Sequence, residues 1–444
     1  MAQDKYFHEA HFCSLSSQGN VYGMTKVKSQ VDRSFKILVS SGKAGQITCI
    51  GFQRDETTSS LKPISIELEA GDLSIPDGAE LLSLDTFQLD DILLLGFCFT
   101  KEDTIDNNTI QWLNASNIIS TQLEPGADFT VAGLMQGLSS VELDFNCLFL
   151  KHRLIKQNGM TVHLCLMSGD DSKVHLFTLE REDFGNTIKC CEVSCEIFFP
   201  EFKELESCVI CLDFLEIGDK RISAIGCDNG SVLVFVVDLK SLHILESWKT
   251  RHDHPIIVVK LFSNMISPDS KAALEICHLL ASSVTTTSVV YRNILQNGFT
   301  NVKSLYNSNS HDLVMCACVA DIDWDGEPAI ILGTNGHCLL AYKWYCEDKT
   351  TLTIQTSDSP GQDAEEEEDD LWLPMEEYRL TYIRKFSHPL MGLEYVDMTG
   401  DGVCELVILC SDGVRILQHN LEKAKNEVME RLKKFKTVKD DDNK

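Results

Sequence analysis

Two acidic, glycine-punctuated turns in the last third of the chain carry the residues best suited to holding a cation. The second places side-chain oxygens at alternate positions, Asp397, Thr399 and Asp401, and adds Glu405 at the ninth position, while Gly402 permits the sharp turn. Alternate positions of such a loop converge on one point, so a hard cation such as calcium is the ion it would take. The first turn supplies Asp321, Asp323 and Asp325, but its ninth position is Ala329 beside Pro328, one carboxylate short. Asp and Gly also favour tight turns with no ion present. Extracellular calcium modules bind at about 0.1–1 mM, too weakly to stay filled in a cytosol. The expectation is therefore no cofactor, with a weakly held calcium at Asp397, Thr399, Asp401 and Glu405 as the exception to test.

Catalytic constellations are scarce. The chain has no phosphate-binding loop ending in Lys-Ser or Lys-Thr and no Gly-x-Ser-x-Gly elbow. His8-Glu9-Ala10-His11 is one residue short of a zincin motif, which spoils the one-face geometry of its ligands. Cys208-Val-Ile-Cys211 lacks a second ligand pair at zinc spacing, and in a strand a separation of three sends the two thiols to opposite faces. His163 and His175 sit in alternating strands as satisfied or exposed side chains, and Trp324 reads as packing between repeats. No enzyme emerges.

The elements that must position the acidic turns form a repeat. Each turn leads into an apolar strand, a second tight turn (Thr334-Asn335-Gly336 or Ser411-Asp412-Gly413) and another strand. Five more strand–turn–strand units precede them, at 35–52, 92–113, 160–177, 221–237 and 279–291. Several share a lead-in strand that ends in an acid, namely Asp85, Asp213, Asp321 and Asp397. Units of this kind at roughly blade spacing predict an all-β, seven-bladed β-propeller over residues 1–418. Residues 352–378, with the run Asp363–Asp370, read as an acidic, disordered loop insertion. In residues 419–444, Leu421, Ala424, Val428, Leu432 and Phe435 recur at three- and four-residue steps. This periodicity predicts a short amphipathic C-terminal α-helix whose apolar face either packs on the propeller or docks into a partner.

The net charge is −28, from 67 Asp and Glu against 39 Lys and Arg in 444 residues. Such a surface repels phosphate backbones, so nucleic-acid binding is excluded for the body of the protein. No apolar run reaches the ~20 residues a membrane-spanning helix needs, and no membrane insertion is expected. The N-terminal residues lack a basic stretch followed by an apolar core, and the 18 cysteines are scattered through apolar strands. Both observations point to a reducing cytosol.

Several segments resemble the kaptin family. They are Ser17–Gly23, Glu80–Phe87, Arg221–Cys227, Val289–Leu295 and Tyr395–Gly402 with Gly413–His419, in order along nearly the whole chain. The resemblance implies a non-enzymatic FG-GAP-like propeller that acts as a scaffold subunit of the KICSTOR complex. Its implied partners are the other KICSTOR subunits, especially a second FG-GAP-like propeller protein, and the GATOR complex, which KICSTOR anchors at the lysosome to restrain TOR signalling when nutrients fall. It also implies an alternative role, association with actin filaments in lamellipodia and sensory-cell protrusions. Actin is itself acidic, so that role needs a local basic patch, and the concentrated one is Lys433 to Lys439.

Overall fold

The structure, a computed structural model, describes residues 6–420 except 30–33, 43–44, 55–59, 69–72, 74, 77, 90–91, 101–107, 115–138, 158–159, 182–187, 264–275 and 347–375, together with Lys425 and Met429. Among the described residues, seven four-stranded antiparallel sheets follow one another along the chain. The first strand, β1 (Phe7–Ser14), is set apart from its neighbours in sequence. Blade 1 is β2 (Met24–Lys28), β3 (Phe35–Ser41), β4 (Gln46–Arg54) and β5 (Leu61–Leu68), and blade 2 is β6 (Glu80–Leu89), β7 (Ile92–Thr100), β8 (Asn108–Asn114) and β9 (Ser139–Leu143). Blade 3 is β10 (Cys147–Gln157), β11 (Met160–Gly169), β12 (Val174–Arg181) and β13 (Ile188–Val193). Blade 4 is β14 (Val209–Ile217), β15 (Lys220–Cys227), β16 (Ser231–Asp238) and β17 (Ile244–Arg251). Blade 5 is β18 (Ile256–Phe262), β19 (His278–Ser283), β20 (Val289–Tyr291) and β21 (Val302–Ser304). Blade 6 is β22 (Val314–Ala320), β23 (Ala329–Thr334), β24 (Cys338–Cys346) and β25 (Glu376–Lys385), and blade 7 is β26 (Leu390–Val396), β27 (Glu405–Cys410) and β28 (Gly413–His419), completed by β1.

The seven predicted units are the second and third strands of the seven blades, and the fold is the expected seven-bladed β-propeller. These strands are legible because blades pack face to face, so their middle strands are covered on both sides and read as near-continuous apolar runs. Strands β19, β23 and β27 are buried at every residue. Seven apolar clusters fill the seven blade interfaces, from Leu38 against Leu95 between blades 1 and 2 to Ile37 against Val407 between blades 1 and 7. Alternate side chains of one strand serve two interfaces. Ile222 and Ala224 of β15 face blade 5, whereas Ile225 and Cys227 face blade 3.

The innermost strands carry a second regularity. In blades 2–7 the first strand holds a β-bulge, and the extra residue is Leu82, Leu148, Ile210, Ile257, Met315 or Met391, a large apolar side chain in each case. A bulge adds a residue on one strand and sharpens its local twist.

The ring is closed by the two ends of the chain. Strand β1 pairs with β28 from Phe7 opposite His419 to Ser14 opposite Gly413. Glu9 on β1 meets Arg415 on β28 at 3.1 Å and Arg384 on β25 at 3.8 Å. Without β1 the last sheet would expose the apolar edge of β28, a template for mispairing. Removing residues 1–14 is therefore expected to shift the product toward aggregate relative to the full chain, as size-exclusion chromatography of the two would show.

The insertion assigned to 352–378 overlaps the fold at its end. Glu376–Tyr378 open β25, where Tyr378 is 3% exposed against blade 5. The rest of that segment lies outside the described residues. So do Leu421, Ala424, Val428, Leu432 and Phe435, the apolar face expected for the C-terminal helix. Lys425 and Met429 are helical and exposed. Among the described residues, no helix is long and apolar enough to cross a membrane.

Candidate functional site

Both acidic turns join the first and second strands of their blades, β22 to β23 and β26 to β27, and they share one backbone design. Asp321 accepts hydrogen bonds from the amides of Asp325 (3.2 Å) and Gly326 (2.8 Å), and Asp325 accepts one from Glu327 at 2.9 Å. Asp397 accepts from the amides of Gly400 (2.7 Å), Asp401 (3.2 Å) and Gly402 (2.8 Å), and Asp401 accepts from Val403 at 2.8 Å. Gly326 and Gly402 have φ of 92° and 88°, backbone that a side chain would strain. The first Asp of each turn is thus an internal staple, its oxygens spent on amides that point inward.

The turns differ at one pair of facing positions. Ile330 pairs with Tyr342, which places Ala329 beside Lys343; Leu406 pairs with Leu417, which places Glu405 beside Gln418. Where the first turn lacks its ninth-position acid, Lys343 reaches in from β24. Its ammonium bonds the Asp323 carboxylate and lies 2.7 Å from Asp325. Among the described residues, Asp321, Asp323 and Asp325 are the acidic group whose oxygens gather within 4.8 Å of one another, and a lysine already supplies their cation.

In the second turn Glu405 takes the opposite part. It is 3% exposed and accepts from the Met398 amide (2.8 Å), the Thr399 hydroxyl (3.3 Å) and the Gln418 amide group (3.3 Å). Burial, then the nearby charges of Asp401 and Asp397, raise its pKa. Side-chain hydrogen bonds thus link Asp397, Thr399 and Glu405, with Gln418 joining Glu405. Among the described residues, the Asp401 carboxylate engages only the Val403 amide, and the carboxylates of this turn do not gather as those of the first turn do. Sequence spacing could not have found Lys343 or Gln418, because each arrives from a strand whose register is fixed only by the sheet.

Charge removal should separate the two turns. Lys343→Ala strips two carboxylates of their cation and is expected to lower stability by about 1–3 kcal/mol. Gln418→Ala removes one 3.3 Å bond and should cost about 0.5–1.5 kcal/mol. Urea unfolding midpoints of the two variants would check the order.

The first turn also ties blade 6 to blade 7. Trp324, held at φ 54°, lies 4.5 Å from the ring of His419, which Phe7 approaches at 4.5 Å from the other strand. The tryptophan packs between blades, as expected. Tyr395 completes the cluster, its hydroxyl 2.8 Å from His419 Nε2. The other residues weighed for chemistry are structural. Cys208 Sγ faces blade 3 (Asp170 O, 3.3 Å) and Cys211 Sγ faces blade 5 (Ile256 O, 3.3 Å), so they do not form a pair. His175 is held by Glu192 (2.8 Å) and Asp171 (3.3 Å), and His163 is buried.

One polar cluster had no sequence signal. Glu201, in the connection between blades 3 and 4, is bonded by Arg221 of β15 at 3.0 Å and by the Ser223 hydroxyl at 2.7 Å. Arg221 also donates to the Phe198 carbonyl (2.9 Å), and its guanidinium lies 4.3 Å from the ring of Phe199.

Among the described residues the ring has seven blades, and the last two carry the acidic turns stapled by their own amides. Residues 7–429 match the family model described as KICSTOR complex protein kaptin. The chain belongs to the kaptin family. It is 31% identical over 433 residues to the KICSTOR complex protein kaptin of Mus musculus, which covers 96% of this chain and 91% of the mouse protein. Arg221 and Ser223, the two residues that grip Glu201, both fall in one of the segments that carry the kaptin resemblance. Among solved structures, the crystal structure of BBS1N in complex with ARL6DN superposes with a TM-score of 0.50 over 93% of this kaptin-family chain and 96% of that one. At 6% identity the likeness is one of fold.

Proposed function

We propose that this protein is a non-catalytic scaffold subunit of the KICSTOR complex, helping to bring the GATOR complex to lysosomes and to restrain TOR signalling when nutrients fall. Its full-length relationship to a KICSTOR complex protein carries this reading. The chemistry of the acidic turns supports it. Their oxygens are engaged by amides, Thr399, Gln418 and Lys343, which supports reading the turns as structural elements of the blades. Calcium titrated to millimolar concentration should give no binding heat; saturable heat abolished by Glu405→Gln would overturn the ion-free reading.

The proposed partners are the other KICSTOR subunits, especially a second FG-GAP-like propeller protein, and the GATOR complex. The proposed location is the cytoplasm with recruitment to the lysosomal surface, and the chain neither enters the bilayer nor binds nucleic acid. In cells lacking this chain, GATOR should leave lysosomes and TOR output should persist after amino-acid withdrawal. Unchanged GATOR placement would count against the proposal. Association with actin is the second reading, motivated by Lys433, Lys434, Lys436 and Lys439. Co-sedimentation with purified filaments at physiological salt decides it: an empty pellet removes the reading.

A further inference from the structure

One residue of each innermost strand belongs to a belt around the central axis. In blades 2–7 it stands three positions after the bulged residue, at Asp85, Lys151, Asp213, Lys260, Cys318 and Glu394. Blade 1 has no such bulge, and Lys26 fills the place, its Nζ 2.7 Å from Glu394. In blade order from 7 the belt reads Glu, Lys, Asp, Lys, Asp, Lys, Cys.

Three neighbour pairs along this sequence are tied by charge, Lys26–Glu394, Lys151–Asp213 and Asp213–Lys260, and Asp85 is tied to the adjoining blades through other residues. Asp213 lies 3.8 Å from both Lys151 and Lys260 and also accepts the Leu261 amide at 2.8 Å. Asp85 uses the same device, accepting the His152 amide at 2.7 Å, and on its other side accepts the Thr25 hydroxyl at 2.8 Å. Lys151 adds a bond to the Leu212 carbonyl at 3.0 Å. Each contact joins one blade to the next.

Signs cannot alternate all the way round a ring with an odd number of positions. Either two like charges must be neighbours or one position must be neutral. Cys318 stands between Lys260 and Glu394 and is 9% exposed. An acid there would face Glu394 and a base would face Lys260, at separations where partial burial leaves repulsion poorly screened. We propose that the belt is an electrostatic closure device: alternation favours each blade beside its own neighbours, the Lys26–Glu394 pair seals the joint between first and last blades, and Cys318 is the neutral position that a seven-membered ring requires.

Thermal unfolding of the full chain tests this with Cys318→Val and Cys318→Asp, each made in the parent and in a Glu394→Gln background. Val should unfold within a few degrees of Cys in both, because it supplies no charge. Asp should lower the midpoint by several degrees in the parent. In the Glu394→Gln background, where the neighbouring side chain is a neutral amide and Lys260 remains as partner, the drop should be less than half as large. An equal Asp penalty in both backgrounds would mean that burial alone is felt, and the proposal falls. If Cys318→Asp does not fold, reversal of the seam decides. Lys26→Glu and Glu394→Lys should each lower the midpoint and together cost less than their sum, because the seam pair is restored while the new carboxylate at position 26 adjoins Asp85; simple additivity overturns the device.

Discussion

Arg221→Ala will destabilise the propeller by about 3–5 kcal/mol, the range found when one partner of a buried ion pair is removed. The side chains of Arg221 and Glu201 are 4% and 0% exposed, so the carboxylate left behind has neither a cation nor water. It keeps only the Ser223 hydroxyl. The loss should appear as a lower urea midpoint, with early loss of protection at Phe198 and Phe199, whose connection Arg221 pins to β15. Replacing the whole polar cluster with Arg221→Met, Glu201→Leu and Ser223→Ala should recover most of the stability, since a buried pair and a well-packed apolar substitute are often near equal. A single variant as stable as the parent would show that the pair is solvated in solution.

Acidification should weaken the fold well before its carboxylates titrate. Burial holds His278 and His419 down at about 4, with Arg292 adding to the effect on His278. On His419 the nearby Asp321 opposes burial. The His278 ring accepts the Asn293 amide at Nδ1 (2.9 Å), so protonation there would break that bond. Both folded values lie below the ordinary histidine value of about 6.5, so the unfolded chain takes up protons first as pH falls. Stability is full above about 6.5 and declines between there and about 4. At pH 5.5 each histidine should cost about 1.4 kcal/mol, together about 3 kcal/mol. Glu405, with its pKa raised chiefly by burial, works in the opposite direction, adding stability as pH falls toward the ordinary carboxyl value of about 4.5. Urea titrations at pH 7.5 and 5.5 should show the decline in the parent and about half of it in His278→Gln. An identical slope in the variant would refute the assignment.

What could be read from the sequence was what neighbouring residues determine together. The middle strands of each blade are apolar on both faces and joined by tight turns, so seven local signals appear, and the count followed. The outer strands β5, β17 and β25 are half exposed and polar on one face, and left no comparable mark. Strand β1 leaves no local mark for a different reason. Its partner β28 lies about four hundred residues away, and the spacing of His8 and His11 resembles ligand chemistry although their strand serves closure. The lead-in acids show the limit most clearly. Asp85 and Asp213 stand three residues after the bulge and belong to the belt, whereas Asp321 and Asp397 stand six after it and open the turns. In sequence the four look alike, because a bulge cannot be seen without the partner strand. For the acidic turns, Asp397, Thr399, Asp401 and Glu405 were found by spacing, while the cross-strand residues that decide their chemistry, Lys343 and Gln418, required the register.

The role proposed for this kaptin-family propeller is to hold partners. Its most direct test is affinity purification of the full chain from nutrient-starved cells, with each recovered protein quantified against the bait. Near-stoichiometric KICSTOR subunits, including a second propeller protein, with GATOR in tow and actin at background, is the result predicted. Recovery of actin at bait level, with KICSTOR subunits absent, would contradict it.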